Sequence, residues 1–292
     1  MNSASPEISV VIPVHDEEAA IGADLDIIHE TMDSTGRCYE IIVVDDGSCD
    51  RTAEIVRNRP WAQLIQHAEN RGTGAALKTG IRHAAGNIVV MTDGDGTYPN
   101  HDIPRLLACM SEYDMAIGAR RYERGTMRWL RTPAKNFIRL LASYLTETKI
   151  PDLNSGLRVF HAEMARKFFP ILPNGHSWVS TITIAALSSG HSVKFVPIDY
   201  YERKGGGSHF HPIRDTYNYI LLVIRAITYF NPLKIFLPLS LLLFGAGIIK
   251  LIRDVIVYDW HVPGSTLMII LTAFQLLSIG LIADLIVRRT KV

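Results

Sequence analysis

The chain has 292 residues, of which 48% are hydrophobic, with 30 Lys and Arg against 29 Asp and Glu. A formal net charge of +1 gives no electrostatic reason to expect a nucleic-acid partner. The three cysteines are an odd number without metal-ligand spacing, which indicates reduced thiols in a reducing compartment. This length allows one large domain, or one domain plus an appendage.

The first two thirds of the chain alternate between short apolar runs and amphipathic stretches. The apolar runs predict strands at residues 8–13, 40–44, 63–66, 88–91 and 114–119, then through Phe160 and at 193–196. Helices are predicted between them, the first beginning at Glu17 with Asp16 as its N-cap. This alternation implies right-handed crossovers and a mainly parallel sheet.

Two of the predicted strands end in acidic pairs. Asp45 and Asp46 follow the second strand, and Asp93 and Asp95 follow the strand at 88–91. Ligands of open α/β sheets bind at the carboxyl edge of the strands, where two such acids can face one hard cation and the phosphate oxygens that it carries. An acidic turn chosen for its geometry alone is the alternative. The functional interpretation predicts a nucleoside diphosphate with Mg²⁺ or Mn²⁺ at the second pair.

Further glycine-rich and basic segments fit the handling of phosphates. Residues 70–74, NRGTG, open a helix, and they either present backbone N–H groups to a phosphate or only permit close packing. Basic residues at 120, 121, 124, 128, 131 and 135 either hold a diphosphate or lipid phosphate or form a solvated face. Residues 200–208, YYERKGGGS, predict a mobile loop.

The last third of the chain contains two long apolar runs. Residues 233–252 and 264–283 are each long enough to cross a hydrocarbon core of roughly 30 Å. Residues 215–230 are amphipathic, which predicts a helix at the membrane surface. Basic residues lie outside both outer ends of the two runs, so the positive-inside rule predicts a hairpin with both chain termini in the cytoplasm.

We therefore expect a domain at residues 1–212, an interfacial helix at 213–231 and a transmembrane hairpin at 232–292. The opening residues, MNSASPE, lack the pattern of a secretory signal. The expected location is the cell membrane, with several spans and with the first domain and both termini cytoplasmic. Small residues in the spans, which are not spaced as GxxxG, leave homo-oligomerisation open: Gly245, Gly247, Ser278 and Gly280.

Seven motifs, read in order, resemble a known family. They are PVHDEE, VVDDGSCD, NRGTGAALKTGI, DGDGTYP, GAR, DLNSGLR and RKGGGS. The chain resembles family-2 glycosyltransferases of the polyprenyl-phosphate type, the relatives of dolichol-phosphate mannose synthase and undecaprenyl-phosphate glucosyltransferases. The resemblance implies an α/β, Rossmann-like GT-A domain before the interfacial helix and hairpin. It also implies metal-dependent, inverting transfer of a hexose from a UDP- or GDP-sugar to a polyprenyl (dolichyl or undecaprenyl) phosphate, with release of a nucleoside diphosphate.

The resemblance also assigns roles to individual residues. The catalytic residues would be Asp95, Asp152 and Arg203. The nucleotide would be bound by Pro13, His15, Glu17, Asp45, Asp46 and Asp93. The acceptor and its phosphate would be bound by Arg120, Arg158 and Ser208. Arg128 and Arg131, from the basic segment itself, are further candidates for contacts with the acceptor phosphate. Asp93 and Asp95 would hold the metal, and Gly96 and Thr97, where many relatives have Leu and Gln, leave a third protein ligand open.

Several other functions are compatible with these motifs. A processive polysaccharide synthase is disfavoured because QxxRW does not occur in the chain. A sugar-phosphate transferase would release a nucleoside monophosphate, so the released nucleotide distinguishes it. The remaining alternatives are a catalytically inactive nucleotide-sugar-binding membrane module and a glycosyltransferase with another lipid acceptor.

Overall fold

The computed structural model of the chain describes residues 5–121, 139–140, 142–144, 146–175, 177–203, 231–257 and 262–290. The chain divides into two units, Met1–Leu222 and Val223–Val292, which are described separately below. The predicted boundary at residue 212, the interfacial helix apart from Asn231, and three predicted site residues, Arg128, Arg131 and Ser208, lie outside the described residues.

The first unit contains a seven-stranded sheet. Its strands are β1 (Ile8–Val14), β2 (Tyr39–Asp45), β3 (Ala62–Gln66), β4 (Ile88–Met91), β5 (Met115–Arg120), β6 (Arg158–His161) and β7 (Val193–Ile198). Their order is β3-β2-β1-β4-β6-β5-β7, and β6 runs antiparallel to both of its neighbours while the other pairs are parallel. The prediction of a mainly parallel sheet is therefore confirmed. Strand order reverses at β1 and β4, the position at which α/β folds open a ligand crevice.

Helices and short turns connect these strands. The helices are α1 (Ile21–Ser34), α2 (Thr52–Arg57), α3 (Thr73–His83), α4 (Ile103–Leu107), α5 (Ala162–Phe168) and α6 (Trp178–Ser188). The apolar face of α1 is fully buried through Ile21, Leu25, Ile28 and Met32. Each such side chain contributes about 1.5–3 kcal/mol to folding, so α1 is held to the sheet by packing.

The prediction that Asp16 caps a helix beginning at Glu17 is wrong. Asp16 has a positive φ of 54°, and its carboxylate accepts the backbone N–H of Cys49 at 2.8 Å. Residues 17–20 form a turn in which the N–H of Ala20 donates to the carbonyl of Glu17 at 3.1 Å, and α1 begins at Ile21. The side chain of Asp16 thus holds the loop after β2 instead of a helix end.

The strand register brings the predicted motifs to one edge of the sheet. Val14 at the end of β1 pairs with Asp45 at the end of β2, while β1 also pairs with β4, the strand before Asp93. Because β6 is antiparallel, the loop that precedes Arg158 lies at this same edge. The edge also receives the carboxyl ends of the parallel strands β5 and β7.

The second unit is an antiparallel hairpin of α7 (Leu233–Val257) and α8 (Gly264–Thr290). Both helices are long and apolar enough to cross a membrane. They approach closely at Gly247, where a Cβ atom would lie 2.8 Å from Ile270, and the hydroxyl of Ser240 donates to the carbonyl of Ala273 at 2.9 Å. Most large side chains of the hairpin point away from the partner helix; Leu242, for example, is 69% exposed. This arrangement suits a hairpin surrounded by lipid.

Candidate active site

The loop after β4 carries the acidic pair and is tied to its surroundings. One oxygen of Asp95 accepts both the backbone N–H and the hydroxyl of Thr97, at 3.1 and 2.6 Å. The N–H of Gly96 donates to the carboxylate of Asp24 in α1 at 2.7 Å. The carbonyl of Thr97 accepts the N–H of Tyr201, beyond β7, at 2.9 Å. These bonds fix the loop from both sides, so Asp95 is held in one orientation.

Asp93 and Asp95 have the chemistry of a divalent-metal site. Burial, and then the negative charge of Asp95, raise the pKa of Asp93. A divalent cation bound by both carboxylates would remove this repulsion, and hard cations of this kind prefer carboxylate and phosphate oxygens. No cluster of three His, Cys, Asp or Glu side chains suited to a metal occurs in the part of the chain that the structure describes. Two carboxylates therefore fit a metal that takes its other ligands from a diphosphate and water.

Three predicted site residues, Glu17, Asp95 and Arg203, come together beside this loop. The guanidinium of Arg203 donates to the carboxylate of Glu17, and its Nε lies 3.6 Å from the free oxygen of Asp95. Burial raises the pKa of Glu17 to about 7. The positive charge of Arg203 lowers this pKa, and the negative charge of Asp95 raises it. Arg203 is thus a cation placed between two acids at the sheet edge.

Asp152 and Arg120, which were predicted to act separately, form one ion pair. Nε and Nη2 of Arg120 donate to the two carboxylate oxygens of Asp152 at 2.7 and 3.0 Å, and both side chains are buried or nearly so. Burial raises the pKa of Asp152, but hydrogen bonding and charge from Arg120 outweigh that effect, so the pKa is lowered overall. The pair keeps the carboxylate ionised and fixes its orientation.

Arg158 is completely buried, which the sequence did not indicate. Its guanidinium donates to the carbonyls of Ser155 and Leu153, at 2.6 and 3.1 Å, and to the hydroxyl of Thr183 at 2.6 Å. Burial lowers the pKa of this guanidinium to about 10. These contacts favour a role in holding the loop at residues 152–158, whereas the predicted contact with the acceptor phosphate stays a prediction.

The predicted nucleotide-binding acids are held by the protein itself. The carboxylate of Asp46 accepts the backbone N–H groups of Arg71 and Gly72, at 3.0 and 2.7 Å, and bonds to Nδ1 of His67 at 2.6 Å. The carboxylate of Asp45 accepts two bonds, from the N–H of Ser48 and the side-chain amide of Gln66, at 3.0 and 2.9 Å. Asp45 therefore has more acceptor capacity left for a base or ribose.

The remaining predicted nucleotide ligands lie at the end of β1. Pro13 is buried within the strand. His15 is the exposed residue directly after the strand, and its Nε2 lies 3.6 Å from the carboxylate of Asp16.

Sequence reasoning missed three residues of the site region, Tyr98, Tyr200 and Asp24. The aromatic residue in DGDGTYP was a sequence signal for Tyr98, and the tyrosine pair that follows β7 was one for Tyr200. The motifs gave no signal for Asp24.

Comparison with known proteins identifies the family. Residues 9–169, more than half of the chain, match the family described as glycosyl transferase family 2. The chain belongs to glycosyl transferase family 2. Residues 231–288 match a second family, the GtrB C-terminal hairpin, which coincides with α7 and α8.

Relatives of this family 2 glycosyltransferase act on polyprenyl phosphates, as their names state. The undecaprenyl-phosphate 4-deoxy-4-formamido-L-arabinose transferase of Aeromonas hydrophila is 30% identical, over 96% of this chain and 88% of that protein. The corresponding Edwardsiella ictaluri transferase is 31% identical, over 70% of this chain and 62% of its own length. The dolichyl-phosphate beta-glucosyltransferase ALG5C of Trichomonas vaginalis is 30% identical, over 66% and 63%. The chain thus spans less than two thirds of the last two relatives. The predicted resemblance to family-2 glycosyltransferases of the polyprenyl-phosphate type is confirmed.

Solved structures confirm the GT-A fold of the glycosyltransferase. Glucosyl-3-phosphoglycerate synthase from Mycobacterium tuberculosis, in complex with Mn²⁺, UDP and glucosyl-3-phosphoglycerate, superimposes with a TM-score of 0.61 at 20% identity, covering 76% of this chain and 80% of that one. Its complex with Mg²⁺ and UDP gives a TM-score of 0.61 at 20% identity, covering 76% and 79%. The predicted architecture, a GT-A domain followed by a C-terminal hairpin of two apolar helices, is therefore confirmed.

Proposed function

We propose that this glycosyltransferase transfers a hexose, with inversion, from a UDP- or GDP-sugar to a polyprenyl phosphate and releases a nucleoside diphosphate. The observation that carries the proposal is the meeting of Asp93, Asp95 and Arg203 at the carboxyl edge of the sheet, in a chain that also contains an apolar hairpin. The polyprenyl-phosphate transferases among its relatives support the choice of acceptor.

Asp93 and Asp95 would hold Mg²⁺ or Mn²⁺ on the diphosphate of the donor. When bound, the metal would neutralise the negative charge that grows on the leaving diphosphate. The two carboxylates suit this task because Asp95 is oriented by Thr97. Burial, and then repulsion from Asp95, raise the pKa of Asp93, and a bound cation would relieve that repulsion. The neighbours with UDP and Mn²⁺ or Mg²⁺ support the choice of metals.

The protein's own side chains have simple tasks in this reaction. A lipid phosphate is already ionised near neutral pH, so its oxygen can attack the anomeric carbon without a strong general base. Arg203, oriented by Glu17, would bind the phosphate of the acceptor. Asp152, kept ionised by Arg120, would face the positive charge that develops on the sugar in an oxocarbenium-like transition state.

Asp45 would bind the base or ribose of the donor. His15 and Glu17, at the adjoining end of β1, would also contact the nucleotide.

The hairpin of α7 and α8 would lie in the cell membrane, where the acceptor lipid is found, and the GT-A domain and both chain termini would face the cytoplasm. The lipid phosphate and the nucleotide sugar would then both be available at the cytoplasmic surface of the membrane.

The Asp95→Asn variant tests the metal assignment. We expect transfer to fall by at least about 100-fold, because the loss of one carboxylate weakens metal binding and charge stabilisation at the diphosphate. Transfer is measured as polyprenyl-phosphate-linked hexose formed at limiting Mn²⁺. Asp26→Asn, which changes an exposed acid that pairs with Arg59 away from the site, is the matched control and should retain activity. Full activity of Asp95→Asn at limiting metal would refute the assignment.

A further inference from the structure

Tyr98 is a buried tyrosine whose hydroxyl joins two loops of the candidate active site. It lies three residues after Asp95, is 5% exposed and belongs to the hydrophobic core of the first unit. Its hydroxyl accepts the backbone N–H of Gly156 at 2.6 Å. This bond links the loop after β4, which carries the metal-binding acids, to the loop at residues 152–158.

Gly156 lies directly against Asp93. A Cβ atom at position 156 would be 2.5 Å from Oδ2 of Asp93, closer than side chains approach in folded proteins. The glycine therefore permits the backbone of one loop to touch the carboxylate of the other. Because Tyr98 accepts the N–H of Gly156, it is one of the groups that hold this backbone against Asp93.

The ring of Tyr98 extends this connection to the Asp152–Arg120 ion pair. It packs edge-to-face on Tyr200, with ring centroids 5.2 Å apart. The ring of Tyr200 in turn lies 5.0 Å from the guanidinium carbon of Arg120. Tyr98 thus contacts both the peptide that supports Asp93 and the aromatic ring that supports the partner of Asp152.

We propose that Tyr98 is a positioning residue that sets the spacing between the metal-binding acids and the Asp152–Arg120 pair. The inference rests on the proposed function, since it assigns the metal to Asp93 and Asp95. In this proposal Tyr98 acts through its contacts with Gly156 and Tyr200. Burial raises the pKa of the Tyr98 phenol, so the hydroxyl stays neutral and available to the N–H of Gly156.

Tyr98→Phe removes the hydroxyl and leaves the ring in place. The N–H of Gly156 then loses its partner in a buried position, and the loop at residues 152–158 loses one of the bonds that hold it beside Asp93. We expect kcat to fall by roughly 10- to 100-fold, the range produced by small misplacements of catalytic groups. We also expect the affinity of the UDP-loaded protein for Mn²⁺ to fall by roughly 5-fold or more, while the KM for the acceptor changes by less than about 3-fold.

The control variant is Tyr39→Phe. Tyr39 is also a tyrosine with a bonded hydroxyl, 2.6 Å from Nδ1 of His29 and from Asp33, but it lies at the start of β2, the opposite edge of the sheet from the site. This control should retain wild-type kcat and Mn²⁺ affinity. A general effect of losing a tyrosine hydroxyl would appear equally in both variants and would overturn the proposal.

A second variant, Gly156→Ala, approaches the same contact from the other loop. The added methyl group meets Asp93 while Tyr98 stays intact, so Mn²⁺ affinity and kcat should fall as in Tyr98→Phe. The double variant should lose less than the product of the two single effects, because both act on one contact. Independent, multiplicative losses would contradict the proposed route through Gly156.

Mn²⁺ binding to the full-length detergent-solubilised protein with UDP, followed by electron paramagnetic resonance, is the deciding readout. It needs neither acceptor nor turnover, so it separates this inference from the proposed function. Unchanged Mn²⁺ affinity and kcat in Tyr98→Phe would overturn the inference even if transfer is confirmed. Weakened Mn²⁺ affinity in Tyr98→Phe and Gly156→Ala, but not in Tyr39→Phe, would support it even if the acceptor proves to be another lipid.

Discussion

Asp46 shows how one carboxylate can organise a binding loop. Its oxygens hold the N–H groups of Arg71 and Gly72, and His67 links it to the hydroxyl of Thr79 in α3, 3.0 Å from Nε2. The sequence predicted a direct contact between Asp46 and the nucleotide. Its bonds instead favour an indirect role, in which Asp46 shapes the loop at residues 69–72. We expect Asp45, which accepts fewer bonds from the protein, to contact the nucleotide.

Asp46→Asn should therefore disturb the loop as well as the nucleotide. The asparagine keeps one acceptor oxygen, so a backbone N–H at Arg71 or Gly72 loses its partner, at a cost of about 1–3 kcal/mol. We expect UDP to bind about 10-fold more weakly and amide hydrogen exchange at residues 71 and 72 to accelerate. Weaker binding with unchanged exchange at these amides would show that Asp46 is a direct ligand.

The sequence predicted the acids of the site but not their partners. Asp93 and Asp95 are neighbours in the chain, so a local pattern was enough to bring them together. Asp152 pairs with Arg120, which is 32 residues away in the chain, and Gly156 bonds to Tyr98, which is 58 residues away. Such pairs depend on how strands align, which a single sequence does not contain.

At the scale of elements, strands were more predictable than helix ends. The central parallel strands β1, β2 and β4 contain short apolar runs, and burial on both faces makes those runs continuous. The start of α1 was misplaced because the turn at residues 17–20 precedes it and has no periodic signal. The antiparallel direction of β6 was not predicted either, since it depends on the path of the chain between β5 and β6.

A polar cluster links α7 and α8 near the loop of the hairpin. It consists of Lys250, Asp254, Ser265 and Thr266. Nζ of Lys250 donates to the carboxylate of Asp254 and the hydroxyls of Ser265 and Thr266, at 2.6, 3.2 and 2.7 Å. The hydroxyl of Thr266 also donates to Asp254 at 2.5 Å, and Asp254 is only 2% exposed. Polar groups of this kind bind apolar helices together where no hydrophobic effect does so.

Asp254→Ala should weaken the pairing of α7 and α8. The change removes the acceptor shared by Lys250 and Thr266, and we expect the hairpin to lose about 1–2 kcal/mol of packing free energy. The effect is measured by heating the protein in detergent and recording the temperature at which the hairpin loses its resistance to protease. Arg253→Ala changes the exposed neighbour and is the control. Equal stability of the two variants would mean that the cluster does not hold the helices together.

At the scale of the whole molecule, the sequence predicted two parts of different character. The GT-A domain and the apolar hairpin are both confirmed, since the alternation of strands and helices and the length of apolar runs are strong signals. The interfacial helix apart from Asn231, and the RKGGGS loop apart from Arg203, lie outside the described residues. Orientation in the membrane was predicted from the positions of basic residues alone.

The proposed orientation can be tested with the natural thiols of the first unit. Cys38 and Cys49 are both exposed, so a membrane-impermeant maleimide should label them in inside-out vesicles and not in intact spheroplasts. Asp259→Cys, in the predicted external loop of a chain whose three natural cysteines are replaced by serine, should show the reverse pattern. Labelling of Cys38 and Cys49 in intact spheroplasts would place the GT-A domain outside and contradict the proposal.

The most direct test of the central claim is to identify the products of the reaction. Detergent-solubilised protein would be incubated with undecaprenyl phosphate, Mg²⁺ or Mn²⁺ and a panel of UDP- and GDP-sugars, with mass spectrometry of the lipid and the released nucleotide. We predict a glycosyl phosphate lipid together with a nucleoside diphosphate for at least one donor. Release of a nucleoside monophosphate, or nucleotide binding without any lipid product, would contradict the account.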